Sequence, residues 1–217
     1  MGEIVRKFLR REGLRKFMTK QFSNPSGVFG RFIGNQMAKG NVYDAQWTLS
    51  LLDIQPSHRI LEIGFGPGVS TQMASERAAK GFVAGIDHSK TMVQAASQRN
   101  AAAIRAGRME LKQGDVASLP YPDQSFDMAY SLHSIYFWQN PLDCLKEIKR
   151  VLKPGGLLAI TIQPKDTWWQ NVDPAIMTLY FGKEIATLFS DAGYRNVHVV
   201  VPPSEDKVSL ECILGIA

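Results

Sequence analysis

Long apolar runs are missing from this sequence, together with the signals of a secreted or metal-binding chain. No stretch approaches the roughly 18 apolar residues that a membrane span requires. The first residues lack the continuous apolar segment and small-residue cleavage site of a secretory signal. These absences predict a cytoplasmic protein. Cysteine is scarce: Cys144 and Cys212 stand alone inside a helical and a strand pattern, which excludes a disulfide framework and reads as two core thiols. The four histidines, His58, His88, His133 and His198, lack paired ligand spacing, so no metal site is expected. Internal repeats and low-complexity tracts are also absent.

What is present suits one α/β domain with a modest appendage: 217 residues, 45% of them hydrophobic, suffice for a full core. The net charge of +5 is not spread over the surface. Residues 1–20 hold seven cations (Arg6, Lys7, Arg10, Arg11, Arg15, Lys16, Lys20) against Glu3 and Glu12, and the rest of the chain is balanced. Interleaved apolar residues suggest an amphipathic helix drawn to anionic lipid. At about 100° per residue, however, the apolar positions before and after Gly13 fall on different sides. Two short pieces, or one helix held between protein surfaces, fit better.

Residues 1–55 read as a helical appendage, and 56–217 as an alternating β and α series. Strands are predicted over Arg59–Ile63, Phe82–Ile86, Met109–Gln113, Phe126–Ser131 and Leu157–Ile162. Helices are predicted over Val69–Lys80, Ser89–Ala106 and Pro141–Leu152, with another from Lys183 to Ala192. Two last strands, Val197–Val201 and Val208–Ile216, are joined by a link too short for a crossover helix and must be antiparallel. The prediction is a Rossmann-like doubly wound sheet of seven strands, mostly parallel, with an antiparallel C-terminal hairpin and a helical N-terminal lid.

In such sheets ligands bind beyond the carboxyl ends of the strands. Here each successive strand end carries a group suited to one part of a nucleoside. The first is followed by Gly64, Phe65, Gly66 and Gly68, where missing side chains permit close backbone approach ahead of a helix N-terminus. Asp87 ends the second, 23 residues beyond Gly64, the distance expected of an acid that accepts two ribose hydroxyls. Gly114-Asp115-Val116 ends the third and can read an adenine edge; Ser131-Leu132-His133 ends the fourth, where a transferred group would sit. Singly, each has a plainer reading: a tight turn, a helix cap at Asp87, a loop acid at Asp115. Their order at four consecutive strand ends favours the joint one. The nicotinamide fingerprint is excluded because its third glycine would fall at Val69, and no Gly-Lys-Ser or Gly-Lys-Thr makes a P-loop.

The segments Ile60-Leu-Glu-Ile-Gly-Phe-Gly-Pro-Gly68, Gly85-Ile-Asp-His-Ser89, Gly114-Asp-Val-Ala-Ser-Leu-Pro120, Ser125-Phe-Asp-Met-Ala129 and Arg150-Val-Leu-Lys-Pro-Gly-Gly156 resemble the ordered motifs of class I S-adenosylmethionine-dependent methyltransferases. The resemblance is to the branch with ubiquinone-biosynthesis and small-molecule enzymes. It implies S-adenosylmethionine as cofactor, with Gly64, Gly66 and Gly68 along the methionine and ribose. It further implies Asp87 on the ribose, His88 and Met92 flanking the adenine, Asp115 and Val116 on its edge, and Ser131 near the methionine. Glu62 would shape the loop and reach the methionine amine. The family's residue after the ribose acid is more often apolar than His88.

Methyl transfer from a sulfonium needs alignment and water exclusion more than a base. For a hydroxyl or protonated amine acceptor, His133 has the position and intrinsic pKa for general-base work, and Tyr136 is a second catalytic candidate. The alternative for His133 is packing under the next loop. Trp138, Trp168, Trp169 and Phe22 are candidates for the wall of an aromatic-lined acceptor pocket, and Tyr43 and Trp47 for contacts from a closing N-terminal segment. Three rivals remain: a small-molecule methyltransferase; a phospholipid or membrane-quinone methyltransferase anchored through residues 1–20; and a cofactor-binding regulator without turnover. A nucleic-acid substrate is disfavoured because the positive charge sits at one end and no Asn/Asp-Pro-Pro-Tyr/Phe follows the fourth strand.

Overall fold

The computed structural model describes residues 12–167, 172–203 and 209–217. Three helices come first: α1 (Glu12–Ser23), α2 (Gly27–Gly40) and α3 (Val42–Ser50). The series β1 (Arg59–Ile63), α4 (Val69–Arg77), β2 (Phe82–Asp87), α5 (Lys90–Arg99), α6 (Ala101–Arg105), β3 (Met109–Gln113) and β4 (Phe126–Leu132) follows. Then come α7 (Pro141–Val151), β5 (Leu152–Ile162), α8 (Gly182–Asp191), β6 (Arg195–Val200) and β7 (Glu211–Ile216). No helix among the described residues is long and apolar enough to cross a membrane.

The strands form one sheet in the order β3-β2-β1-β4-β5-β7-β6. The first five run parallel, and β7 is antiparallel to both β5 and β6. The strand order reverses between β1 and β4, which opens a crevice at their carboxyl ends. Period-two alternation along each strand divides the apolar residues between two cores. Leu61, Ile63, Ala84, Ile86, Ala129, Leu158 and Ile160 pack with Leu145 and Ile148 of α7 and Ile185 and Phe189 of α8. Ile60, Val83, Met128, Tyr130 and Ala159 face the other way, against Leu49, Leu52 and Ala74.

Two expectations are adjusted. The helix foreseen from Ser89 to Ala106 is interrupted at Asn100, whose side-chain amide donates to the Gly68 carbonyl (3.0 Å) and the Ala96 carbonyl (2.9 Å), tying the break to the glycine-rich turn. The segment set apart as an appendage is, at α3, part of the main core, since Leu49 is buried with Ile60 and Tyr130.

Candidate functional site

The turn after β1 has left-handed φ at Gly64 (72°), Gly66 (52°) and Gly68 (77°), a conformation that strains any residue with a Cβ. A Cβ on Gly64 would lie 2.4 Å from the Ser134 Cβ, whereas one on Gly66 would meet nothing within 4 Å. The turn is therefore packed from one side against the end of β4 and open to a ligand at Gly66. Phe65 does not present its ring to that space: it is buried beneath the turn, where a Cβ on Gly85 would lie 2.6 Å from its Cδ1. Its ring braces the loop, which leaves the backbone of Phe65 as the part that can face a ligand.

Glu62, fully buried on β1, accepts hydrogen bonds from the hydroxyls of Ser70, Thr71 (2.5 Å) and Tyr130 (2.8 Å). It thus ties β1 to the first turn of α4 and to β4. Burial pushes its carboxyl up to about 7, against the pull of the three donors. Asp87, buried at the end of β2, accepts the Gly66 amide (2.8 Å) on Oδ2 and the Ser89 amide (2.8 Å) on Oδ1. Burial raises this carboxyl too, with both amides opposing the shift. Each oxygen can accept a second hydrogen bond. The plainer reading of Asp87 as a cap holds only in part, because Ser89 Oγ is the side chain that accepts the Met92 amide at the start of α5 (3.3 Å). One carboxylate joins the glycine turn, the end of β2 and the start of α5.

Asp115 Oδ1 accepts the Ala117 amide (2.9 Å), while Val116 is buried. The His88 carbonyl accepts from the Gln113 side chain (3.0 Å), so the backbone there is fixed and the ring is exposed. Met92 is buried against α2, its Cε 2.7 Å from where a Cβ on Gly34 would stand.

At the end of β4, Ser131 and Ser134 share a 2.6 Å hydroxyl contact, and Ser134 Oγ donates to the Ile63 carbonyl (3.2 Å). His133 between them has φ of +55°, left-handed backbone at a residue other than glycine, and its amide donates to the Thr161 carbonyl (3.0 Å). Its Nε2 lies 2.7 Å from Asp44 Oδ2 on α3. Nδ1 is buried without a hydrogen-bond partner among the described residues. The ring stacks on Tyr136 at 6.4 Å and 13°. The Tyr136 hydroxyl accepts the Gln163 amide (2.6 Å) and donates to the Gln163 carbonyl (3.0 Å), which makes this residue a brace between the β4 and β5 ends.

Asp44 and Thr48 are four residues apart, on one face of α3. Thr48 Oγ1 meets Thr161 Oγ1 at 2.6 Å on β5, so the helix is fastened at two adjacent strand ends. Asp44, Ser70, Thr71 and Ser134 escaped the sequence reading. The i, i+4 pair of polar residues on an otherwise apolar helix face was the available signal for Asp44.

The aromatic candidates separate. Trp138 is buried in the core and does not stand open on its loop. Tyr43 and Phe22 are half-buried on α3 and α1. Trp168 and Trp169 lie outside the described residues.

The fit to a nucleoside sulfonium is good: an open glycine cradle, a buried acid with spare acceptor capacity beside it and a second carboxyl below. The comparisons agree. A methyltransferase domain family matches residues 61–160. The uncharacterized methyltransferase YdaC of Bacillus subtilis is 32% identical over 166 residues, covering 76% of this chain and 87% of that protein. The chain belongs to the class I S-adenosylmethionine-dependent methyltransferases. A demethylmenaquinone methyltransferase of Listeria monocytogenes is 31% identical over 153 residues, 66% of this chain and 63% of that one. Among solved structures, a methyltransferase from Aquifex aeolicus superposes with a TM-score of 0.69 at 23% identity, covering 92% of this chain and 96% of that one. S-adenosylmethionine is therefore the cofactor of this methyltransferase, and it supplies a methyl group already activated on sulfur.

Proposed function

We propose that this methyltransferase acts on a small molecule bearing an ionisable hydroxyl, held at the β4 and β5 ends with His133 as proton acceptor. In this reading Gly64, Gly66, Gly68, Asp87, Asp115 and Val116 hold the cofactor. Residues 1–55 cover the site, and Tyr43 and Phe22 face the bound molecules. The observation that carries the acceptor side is the Asp44–His133 pair: a carboxylate fixes the imidazole where the methyl group should arrive. Relatives named for quinone and O-methyl transfer support a ring-bearing acceptor. His133 takes the acceptor's proton and Asp44 balances the charge that develops; the Tyr136 ring holds the imidazole plane. The test is incubation of the full chain with methyl-labelled S-adenosylmethionine and a metabolite extract. Labelled small molecules whose formation drops about a hundredfold in His133→Asn are expected. Label found only on protein or nucleic acid overturns the reading.

A further inference from the structure

Six large apolar side chains are exposed among the described residues, and four of them cluster on α1 and α2: Phe17 (45%), Val28 (79%), Phe29 (39%) and Phe32 (55%). Phe17 and Phe29 meet across the two helices with ring centroids 5.4 Å apart, and Phe29 and Phe32 are 6.4 Å apart. Val28 and Phe32, four residues apart on α2, share its outer face. Neighbouring residues look inward: Thr19 and Gln21 of α1 and Ile33 of α2 are buried.

The charge along α1 and α2 is mostly basic, with Glu12 at the start of α1 their one acidic residue. From Gly13 to Tyr43 the chain holds Arg15, Lys16, Lys20, Arg31 and Lys39 and no acidic residue. Lys16, Lys20, Arg31 and Lys39 are exposed, and the first three stand beside the patch in sequence. Apolar side chains on one surface, rimmed by cations, match the composition of a face that enters the headgroup region of an anionic bilayer.

Other occupants fit less well. A second copy of this face would bring two cationic rims together. Single-stranded nucleic acid needs flat rings free to stack, but these rings tilt on each other at 44° and 35°, and the most exposed member is an aliphatic valine. We infer that the outer face of α1 and α2 is a docking surface for anionic lipid.

The surface is joined to the cofactor site. The Pro25 carbonyl, in the link between α1 and α2, accepts from the buried Ser89 Oγ (2.6 Å), and the Ser89 amide donates to Asp87. The Thr19 hydroxyl of α1 accepts the Asp173 amide (3.0 Å), in the segment that leads from β5 to α8. Lipid held on the outer face therefore lies one helix layer from both halves of the crevice, and an acceptor dissolved in the bilayer has a short route in. That delivery rests on the function proposed above; the docking does not.

The test is sedimentation of the full chain with phosphatidylcholine vesicles, with and without phosphatidylglycerol, at low and high salt. Wild type is expected to pellet with the anionic vesicles only, and less at high salt. The triple variant Phe17→Ser, Phe29→Ser, Phe32→Ser should bind them about a hundredfold more weakly, with S-adenosylmethionine affinity and transfer to water-soluble acceptors unchanged. Charge reversal at Lys16, Lys20 and Arg31 should abolish pelleting. No binding of wild type, or undiminished binding by the triple variant, overturns the proposal. So does a concentration-dependent dimer, or capture of a labelled oligonucleotide, that the triple variant abolishes while vesicle binding persists. Loss of soluble-acceptor labelling in wild type would instead strike the proposed function and leave the docking result standing.

Discussion

The two sides of the crevice are built by opposite means. Where β1 and β2 end, two buried carboxylates gather the donors: Glu62 takes the hydroxyls of Ser70 and Thr71, eight and nine residues on, and of Tyr130 on β4, and Asp87 takes the amides of Gly66 and Ser89. Where β4 and β5 end, the fastenings are side chains far apart in sequence: Asp44 with His133, and Thr48 with Thr161. The first side is held by its own hydrogen bonds, since Asp87 and Glu62 fasten the glycine turn to the starts of α4 and α5. The second depends on α3 being docked, so its geometry follows the N-terminal helices.

Substitutions can break this contrast. Gly64→Ala should do most damage, since the new Cβ meets Ser134 at 2.4 Å on backbone already left-handed. A loss of about 3–5 kcal/mol in unfolding free energy is expected from denaturant titration, with both sides failing together. Asp87→Ala acts on the first side alone. Calorimetry should show S-adenosylmethionine affinity reduced by roughly a hundredfold, from two lost charge-assisted hydrogen bonds; unchanged affinity would refute its role on the ribose.

Glu62 sharpens the comparison through pH. Its folded carboxyl is held near 7 against an ordinary value of 4.5, so the folded state keeps a proton that the unfolded chain has released. Stability from this group is therefore full below about 4.5 and is lost as pH rises through about 7, by on the order of 3 kcal/mol. Glu62→Gln should flatten that slope in urea titrations; an equally steep slope would place its origin elsewhere. Thr48→Val, on the second side, should cost only about 1–2 kcal/mol. It should lower methyl transfer more than cofactor affinity, because it loosens α3 and leaves the glycine turn intact.

The same contrast explains what could be read in advance. The succession of strands, the glycine turn, the place of Asp87 at the end of β2 and the antiparallel β7 follow from local patterns: period-two apolar runs, helix stops and the spacing of acids after strands. The partners of His133 did not, because no local rule connects residue 44 with residue 133. Trp138 was read outward and turned inward for a related reason. A ring beside a glycine turn or a loop is equally suited to a pocket wall and to the core, and only the packed neighbours decide. The split of the helix at Asn100 was hidden by an alanine-rich sequence that favours continuation; the pull of the Gly68 carbonyl on its side chain is a tertiary effect.

The position of β7 between β5 and β6 has a consequence for biosynthesis. Chain order and spatial order disagree there: β6 is made before the strand it pairs with, and β5 keeps an open edge until Glu211–Ile216 has left the ribosome. At roughly 5–20 residues per second that wait lasts seconds, during which Val199 and its neighbours on β6 have no sheet to join. Until then the nascent chain carries two unsatisfied strand edges, a ready substrate for chaperones and proteases.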